Sequence, residues 1–299
     1  MNMLHITGLH KRFGDKEVLK GLELSVPEHS IFGFIGKNGA GKTTTMKTVL
    51  GFMKADRGEI AVAGERVIYG QTATNRFIGY LPDVPEFYPF MTAPEYLSFC
   101  GEITGMHRDE IRARSKELLE LVGLGGERHR IRGFSRGMKQ RLGIAQALLH
   151  RPKLLICDEP TSALDPVGRK EILDIILAVR EQATVLFSTH ILTDCERICT
   201  DIAFLNDGVV QIQGSLGDIK SGCRTEEYLL ETEKRADMSD VCLAFPGMRQ
   251  TEGNQLCFSE KEHSVFEVLR YLADRQIPLL KVQRVEPTLE SLFMEVVEK

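Results

Sequence analysis

The sequence of 299 residues predicts an α/β fold, a largely parallel sheet with helices, followed by a small α+β domain. Three observations predict it. Strand-like and helix-like segments alternate along the first 220 residues, the pattern of a parallel sheet covered by helices. "KLLICDEP" (153–160) is an apolar run closed by two acids, as expected of a strand buried on both faces. Near "SLGDIKSGCRTEE" (215–227) the character changes, and about 80 residues of shorter mixed pieces follow.

Each element has a local reason. "LHITGLHKRF", "EVLKGLELSV" and "SIFGFIG" alternate within 3–35 and read as strands. A helix is expected from 42 to 51. "GEIAVAGERV" and "RFIGYLP" read as further strands. The spacing turns helical from 92 to 150, where Thr92 and Glu95 form a capping box. "SRGMKQRLGIAQALLHRP" reads as a helix that Pro152 ends. Asp165-Pro166 opens another helix, with proline at its first position. "ATVLFST" is a second buried strand. In the tail, "EEYLLETE", "QLCFSE" and "PLLKVQRVE" read as strands, and 263–274 and 287–298 as helices. No internal repeat or low-complexity tract appears.

Composition narrows the function. Apolar residues are 42% and charged residues 27%, which suits a soluble globular chain with a large core. The net charge of −4 argues against a dedicated nucleic-acid binder. The seven cysteines are scattered, and Cys195 and Cys199 lack the second ligand pair of a zinc site. They read as reduced thiols of a cytosolic protein. The start, "MNMLHITGLHKRFG", lacks a signal-peptide core, and no membrane span is expected.

Gly36-Lys37-Asn38-Gly39-Ala40-Gly41-Lys42-Thr43 matches G-x-x-x-x-G-K-[ST], between a predicted strand and a predicted helix. Little side-chain bulk lets the backbone N–H groups wrap an anion. The helix after Gly41 adds its positive end. Lys42 reaches β and γ phosphates and Thr43 offers a hydroxyl to Mg²⁺; Thr44 is a further nucleotide-binding candidate. The implied ligand is a polyphosphate held with Mg²⁺. Asp158 ends a buried strand, where a carboxylate can hold Mg²⁺. Glu159 projects differently and can polarise an attacking water.

With those residues in place, the first 220 residues resemble the ATP-binding subunits of ABC transporters. "FSRGMKQR" (134–141) resembles the signature motif, "SALD" (162–165) the D-loop, and "IGYLPDVPEFYPFMT" (78–92) the Q-loop region. Singly, Phe13 reads as a packed aromatic and His190 as a strand-end histidine. The resemblance makes Phe13 the aromatic that stacks on adenine and His190 the switch histidine. It implies a P-loop ATPase core over 1–220, a helical subdomain over about 88–150, and a small accessory α+β domain over 221–299. It also implies that Ser135, Arg136 and Gly137 complete the site of a second ATPase subunit, identical or related, in a head-to-tail dimer. Ser162 and Asp165 line that interface.

Three residues depart from the family pattern: Lys37, Arg136 in place of the first signature glycine, and Asp83 in place of the Q-loop glutamine. Asp83 either reaches Mg²⁺ as a third carboxylate or acts only on the loop that borders the permease groove. "EPTLESLFMEVVEK" (286–299) resembles the tail of drug, antimicrobial-peptide and lipid exporter subunits of the bacitracin and lantibiotic type. The implied function is an ATP hydrolase on the inner face of the cell membrane, driving an integral-membrane permease. No nucleic-acid partner is expected. A soluble ATPase acting on ribosomes or DNA is opposed by the single cassette and by the absence of a long heptad insertion. A non-hydrolysing regulator is opposed by Lys42, Asp158, Glu159 and His190 together.

Overall fold

Alternating burial builds the first layer. The computed structural model describes residues 1–222, 226–233, 235–251, 253–285 and 288–298. β1 (Asn2–Phe13) pairs antiparallel with β2 (Lys16–Pro27), burying Leu4, Ile6, Leu9, Leu22 and Leu24 on one face. β3 (Ile31–Ile35) is buried throughout and runs into α1 (Lys42–Val49). β4 (Arg57–Val62) pairs with β1, and β5 (Glu65–Arg66) pairs back on β4. "GEIAVAGERV" is therefore a hairpin of two strands. Its chain reverses at Ala63 and Gly64, both at positive φ, 50° and 81°.

β6 (Ile78–Leu81) precedes the helical stretch α2 (Ala93–Ile103), α3 (Arg108–Leu121) and α4 (Arg136–Ala147). Thr92 accepts its place at the head of α2 through the capping box with Glu95. α4 stops at Ala147, one turn before Pro152. Then follow β7 (Leu154–Asp158), α5 (Pro166–Val179), β8 (Thr184–Thr189), α6 (Leu192–Ile198), β9 (Asp201–Asn206) and β10 (Val209–Ser215). β9 and β10 form a hairpin around Asp207 and Gly208, both at positive φ.

These strands make two layers, a four-stranded sheet ordered β2-β1-β4-β5 and a six-stranded sheet ordered β10-β9-β3-β8-β7-β6. In the second, β9, β3, β8, β7 and β6 are mutually parallel and only β10 is reversed. One apolar core joins both sheets and α1, from Leu4 and Leu24 to Phe32, Phe34, Met46 and Ile156. The strand order matters for chemistry. It sets the carboxyl ends of β3, β8 and β7 side by side, where open α/β sheets bind ligands.

The chain divides into two compact units, 1–217 with 293–299, and 218–292. α7 (Leu216–Gly222) crosses that division in sequence. The second unit holds β11 (Glu227–Thr232), α8 (Arg235–Ala244), β12 (Arg249–Gln250), β13 (Gln255–Ser259), α9 (Val265–Asp274) and β14 (Leu279–Arg284). Its antiparallel sheet is ordered β12-β13-β11-β14, so β-α-β-β-α-β connectivity produces the split βαβ arrangement. Leu230, Met238, Val241, Leu256, Phe258, Val268 and Leu272 form its own core. α8 was absent from the sequence-based expectation, because "RADMSDVCLA" has a weakly segregated apolar face.

α10 (Leu289–Glu298) closes the chain. Pro287, the expected start of this helix, and Glu286, the expected end of the strand before it, lie outside the described residues, as do Cys223 and Lys299. In the first unit the Phe293 ring lies 5.4 Å from the Phe204 ring, centre to centre. Phe293→Ala is expected to cost about 1–2 kcal/mol, from a lost ring pair and partial burial. At about 2–4 °C per kcal/mol, calorimetry should show the transition of the first unit several degrees lower. An unchanged midpoint would mean that the ring contact adds nothing to stability.

Candidate nucleotide and hydrolysis site

The glycine loop leaves the carboxyl end of β3 at Gly36. Gly39 and Gly41 have φ of 84° and 116°. Left-handed turns of this kind bring successive N–H groups into one concavity, and only glycine adopts them without strain. Gly41 has a second reason to lack a side chain, since a Cβ there would stand 2.7 Å from Leu19 Cδ2. Ala40 turns the other way and packs on the core. α1 starts at the next residue, so its unsatisfied N–H groups face the same space.

Lys42 is only 6% exposed. Its ammonium donates to the Gly36 carbonyl at 2.6 Å and to the Lys37 carbonyl at 3.3 Å. It also lies 3.1 Å from Glu159 Oε1. The Thr43 hydroxyl donates to Asp158 Oδ2 at 2.8 Å, and the Ser188 hydroxyl donates to Asp158 Oδ1 at 2.6 Å. Both oxygens of a buried carboxylate are thus oriented by hydroxyls from β8 and α1.

Asp158 and Glu159 part company because of the backbone. Asp158 ends β7 in ordinary strand geometry, whereas Glu159 has φ 48°. Such a conformation costs a non-glycine residue about 1–3 kcal/mol and persists where surroundings impose it. Here the Glu159 N–H donates to both the Ser188 carbonyl (3.2 Å) and the Ser188 hydroxyl (3.1 Å). The turn aims the Glu159 carboxylate between Lys42 and His190, whose Nδ1 is 2.9 Å from Oε2. Oε1 is buried, with the Lys42 ammonium 3.1 Å away as its partner.

Lys42, Thr43, Asp158 and Glu159 line a cavity of about 360 Å³ with Val18, Asn38, Gly39, Gly41, Thr44 and Asp83. Burial, with Asp158 and Glu159 nearby, pushes the Asp83 carboxyl above the usual carboxylate range, while Arg136 opposes the shift. Neighbouring Tyr80 on β6 is pushed up to about 12, mainly by burial and then by Asp158, so it stays protonated.

The donor chemistry fits a Mg²⁺-nucleotide. Among the described residues no three Asp, Glu, His or Cys groups gather closely enough to cage a metal alone. Magnesium prefers one or two carboxylates with phosphate and water oxygens, and Asp158 with the Thr43 hydroxyl offers that kind of set. The concave glycine loop, the N-terminus of α1 and the buried Lys42 ammonium supply the complement for the phosphates.

Other candidates stand outside the cavity wall. Phe13 ends β1, 47% exposed, with the Lys11 ammonium 5.3 Å from its ring centre. Ser135 caps α4, accepting from the Met138 N–H at 3.2 Å, with Arg136 and Gly137 in the first turn. Asp165 caps α5, accepting from the Gly168 N–H at 3.3 Å, and the Ser162 N–H donates to the Glu159 carbonyl at 3.0 Å. Sequence reasoning missed Ser188. Its signal was a Ser-Thr pair at the end of an otherwise apolar strand, just before His190. Asp194 was missed too. It is buried on α6, where it accepts from the Thr161 hydroxyl at 2.7 Å and from Arg169 Nε at 2.6 Å.

Residues 19–162 match the family model described as ABC transporter. The chain is 41% identical to the bacitracin transport ATP-binding protein BcrA of Bacillus licheniformis, over 76% of this chain and 74% of that protein. It is 33% identical to the linearmycin resistance ATP-binding protein LnrL of Bacillus subtilis (strain 168), over 98% of each. A solved ATP-binding subunit of an ABC transporter superposes with a TM-score of 0.64 at 32% identity, covering 74% of this chain and 92% of that one.

Proposed function

The chain belongs to the ABC transporter ATP-binding family and is an ATP hydrolase of that kind; from this we propose that it powers a membrane-embedded exporter of a drug, antimicrobial peptide or lipid. Similarity to bacitracin transport and linearmycin resistance proteins supports the class of cargo. One observation carries the hydrolytic half of this reading. Glu159 is held between Lys42 and His190 on the wall of the cavity beside the glycine loop.

The residues divide the work accordingly. Loop N–H groups from Asn38 to Thr44, with Lys42, hold the β and γ phosphates. Phe13 stacks on adenine. Thr43 and Asp158 hold Mg²⁺, which when bound neutralises phosphate charge. Glu159 accepts the proton of the attacking water, and His190 keeps its carboxylate turned toward that water. Ser135, Arg136 and Gly137 present the N-terminus of α4 to the γ-phosphate held by a second subunit, with Ser162 and Asp165 at the same interface. The dimer acts at the inner face of the membrane, and the second unit, 218–292, is an accessory domain; residues 293–299, expected from sequence to belong to it, go instead with the ATPase core of 1–217. Among the described residues no helix is long and apolar enough to cross a membrane, so the permease is a separate chain in this reading.

Purification from detergent-solubilised membranes is expected to yield a multi-span membrane protein with this chain. ATP turnover of the pair in vesicles should rise when cargo is added. A chain recovered only with ribosomes, and with turnover indifferent to any membrane partner, would overturn the assignment.

A further inference from the structure

Two of the three departures from the family pattern, Asp83 and Arg136, meet each other. Asp83 follows β6, and Arg136 opens α4, 53 residues later. The Arg136 guanidinium donates to Asp83 Oδ1 at 3.4 Å. One turn along the same face of α4, Gln140, fully buried, donates its amide N–H to the Asp83 backbone carbonyl at 2.7 Å. Gln140 therefore fixes where residue 83 sits, and Arg136 decides where its side chain turns. That side chain also borders the cavity that holds Lys42, Thr43, Asp158 and Glu159.

We propose that Arg136 is a shared cation: in the separated subunit it holds Asp83 of its own chain, and on dimer closure it transfers to the γ-phosphate bound by the second subunit. This rests on the composite-site reading above. Occupancy of the partner's site then reports to this chain's own site, because Asp83 loses its cation at that moment. Both side chains are nearly half exposed, 44% and 46%. Exposed pairs are weak and salt-sensitive, so a multiply charged phosphate can displace the carboxylate. A glycine at 136 could neither hold Asp83 nor move between partners, and a buried pair would be too costly to break.

The test is a double-mutant cycle read by ATP-driven association, followed by light scattering in the Glu159→Gln chain with Mg²⁺. Asp83→Asn keeps the backbone bond to Gln140 and frees Arg136. It is expected to lower the ATP concentration at half-association about three-fold at low salt, the reach of an exposed pair. The shift should shrink on going from about 0.05 to about 0.5 M salt. It should survive in Arg136→Lys and vanish in Arg136→Gly. An equal shift in the Arg136→Gly background would overturn the proposal, since Asp83 would then act on its own metal or loop. Failure of the Glu159→Gln chain to associate with ATP would instead overturn the composite-site reading, and this proposal with it.

Discussion

Glu159→Gln is expected to lower ATP turnover by about 10²–10⁴-fold, the usual contribution of a positioned general base. ATP binding should stay close to wild type. The reason lies in which contacts change. Glutamine has the same shape, so it fits the turn imposed by Ser188 at φ 48°. Its amide cannot take a proton from water. The loop N–H groups, Thr43 and Asp158 are untouched, so phosphate binding persists. ATP that binds without being cleaved should hold two subunits together. Light scattering with MgATP should therefore register a dimer that wild type populates only transiently. Turnover near the wild-type rate in a steady-state phosphate-release assay would remove Glu159 from the catalytic role.

Lys42→Ala is expected to weaken MgATP binding by about 10- to 100-fold, the range for a lost charge-assisted hydrogen bond at a water-poor site. Lys42 already lies 6% exposed with its ammonium bonded to the Gly36 carbonyl. Little rotamer freedom is lost when nucleotide arrives, so most of the interaction appears as affinity. Alanine has a second consequence. Glu159 Oε1 loses the cation that holds it in place beside the glycine loop. Turnover at saturating ATP should then fall as well. Titration calorimetry with MgATP measures the first effect and steady-state kinetics the second. Wild-type affinity in the variant would sink the phosphate-loop assignment. A matched thermal midpoint in the absence of nucleotide shows that the fold itself is intact.

The primary structure by itself determined the chemistry of short segments. Glycines at 36, 39 and 41 announce a phosphate loop, because positive φ at 39 and 41 and close backbone approach at 36 cost glycine least. "KLLICDEP" announces a doubly buried strand ending in acids, and its burial is complete. The capping residues Thr92, Ser135 and Asp165 announce three helix starts within a residue, since capping is a local hydrogen-bond problem. Local patterning failed where distant partners decide. "GEIAVAGERV" reads as strand, but pairing with β1 over Arg57–Val62 and a reversal at Ala63-Gly64 make it a hairpin. α8 has little periodic signal and exists because Met238 and Val241 pack under β11 and β13.

Convergence belonged to the tertiary structure alone. Lys42, Asp158, Glu159 and His190 span about 150 residues of chain. They meet only because parallel pairing of β3 with β8, and of β8 with β7, aligns three carboxyl ends. No pattern within a strand encodes its neighbour in the sheet. The same holds for Asp83 and Arg136. Each is an isolated oddity in sequence, and the packing of α4 against the end of β6, fixed by Gln140, turns the two oddities into one ion pair.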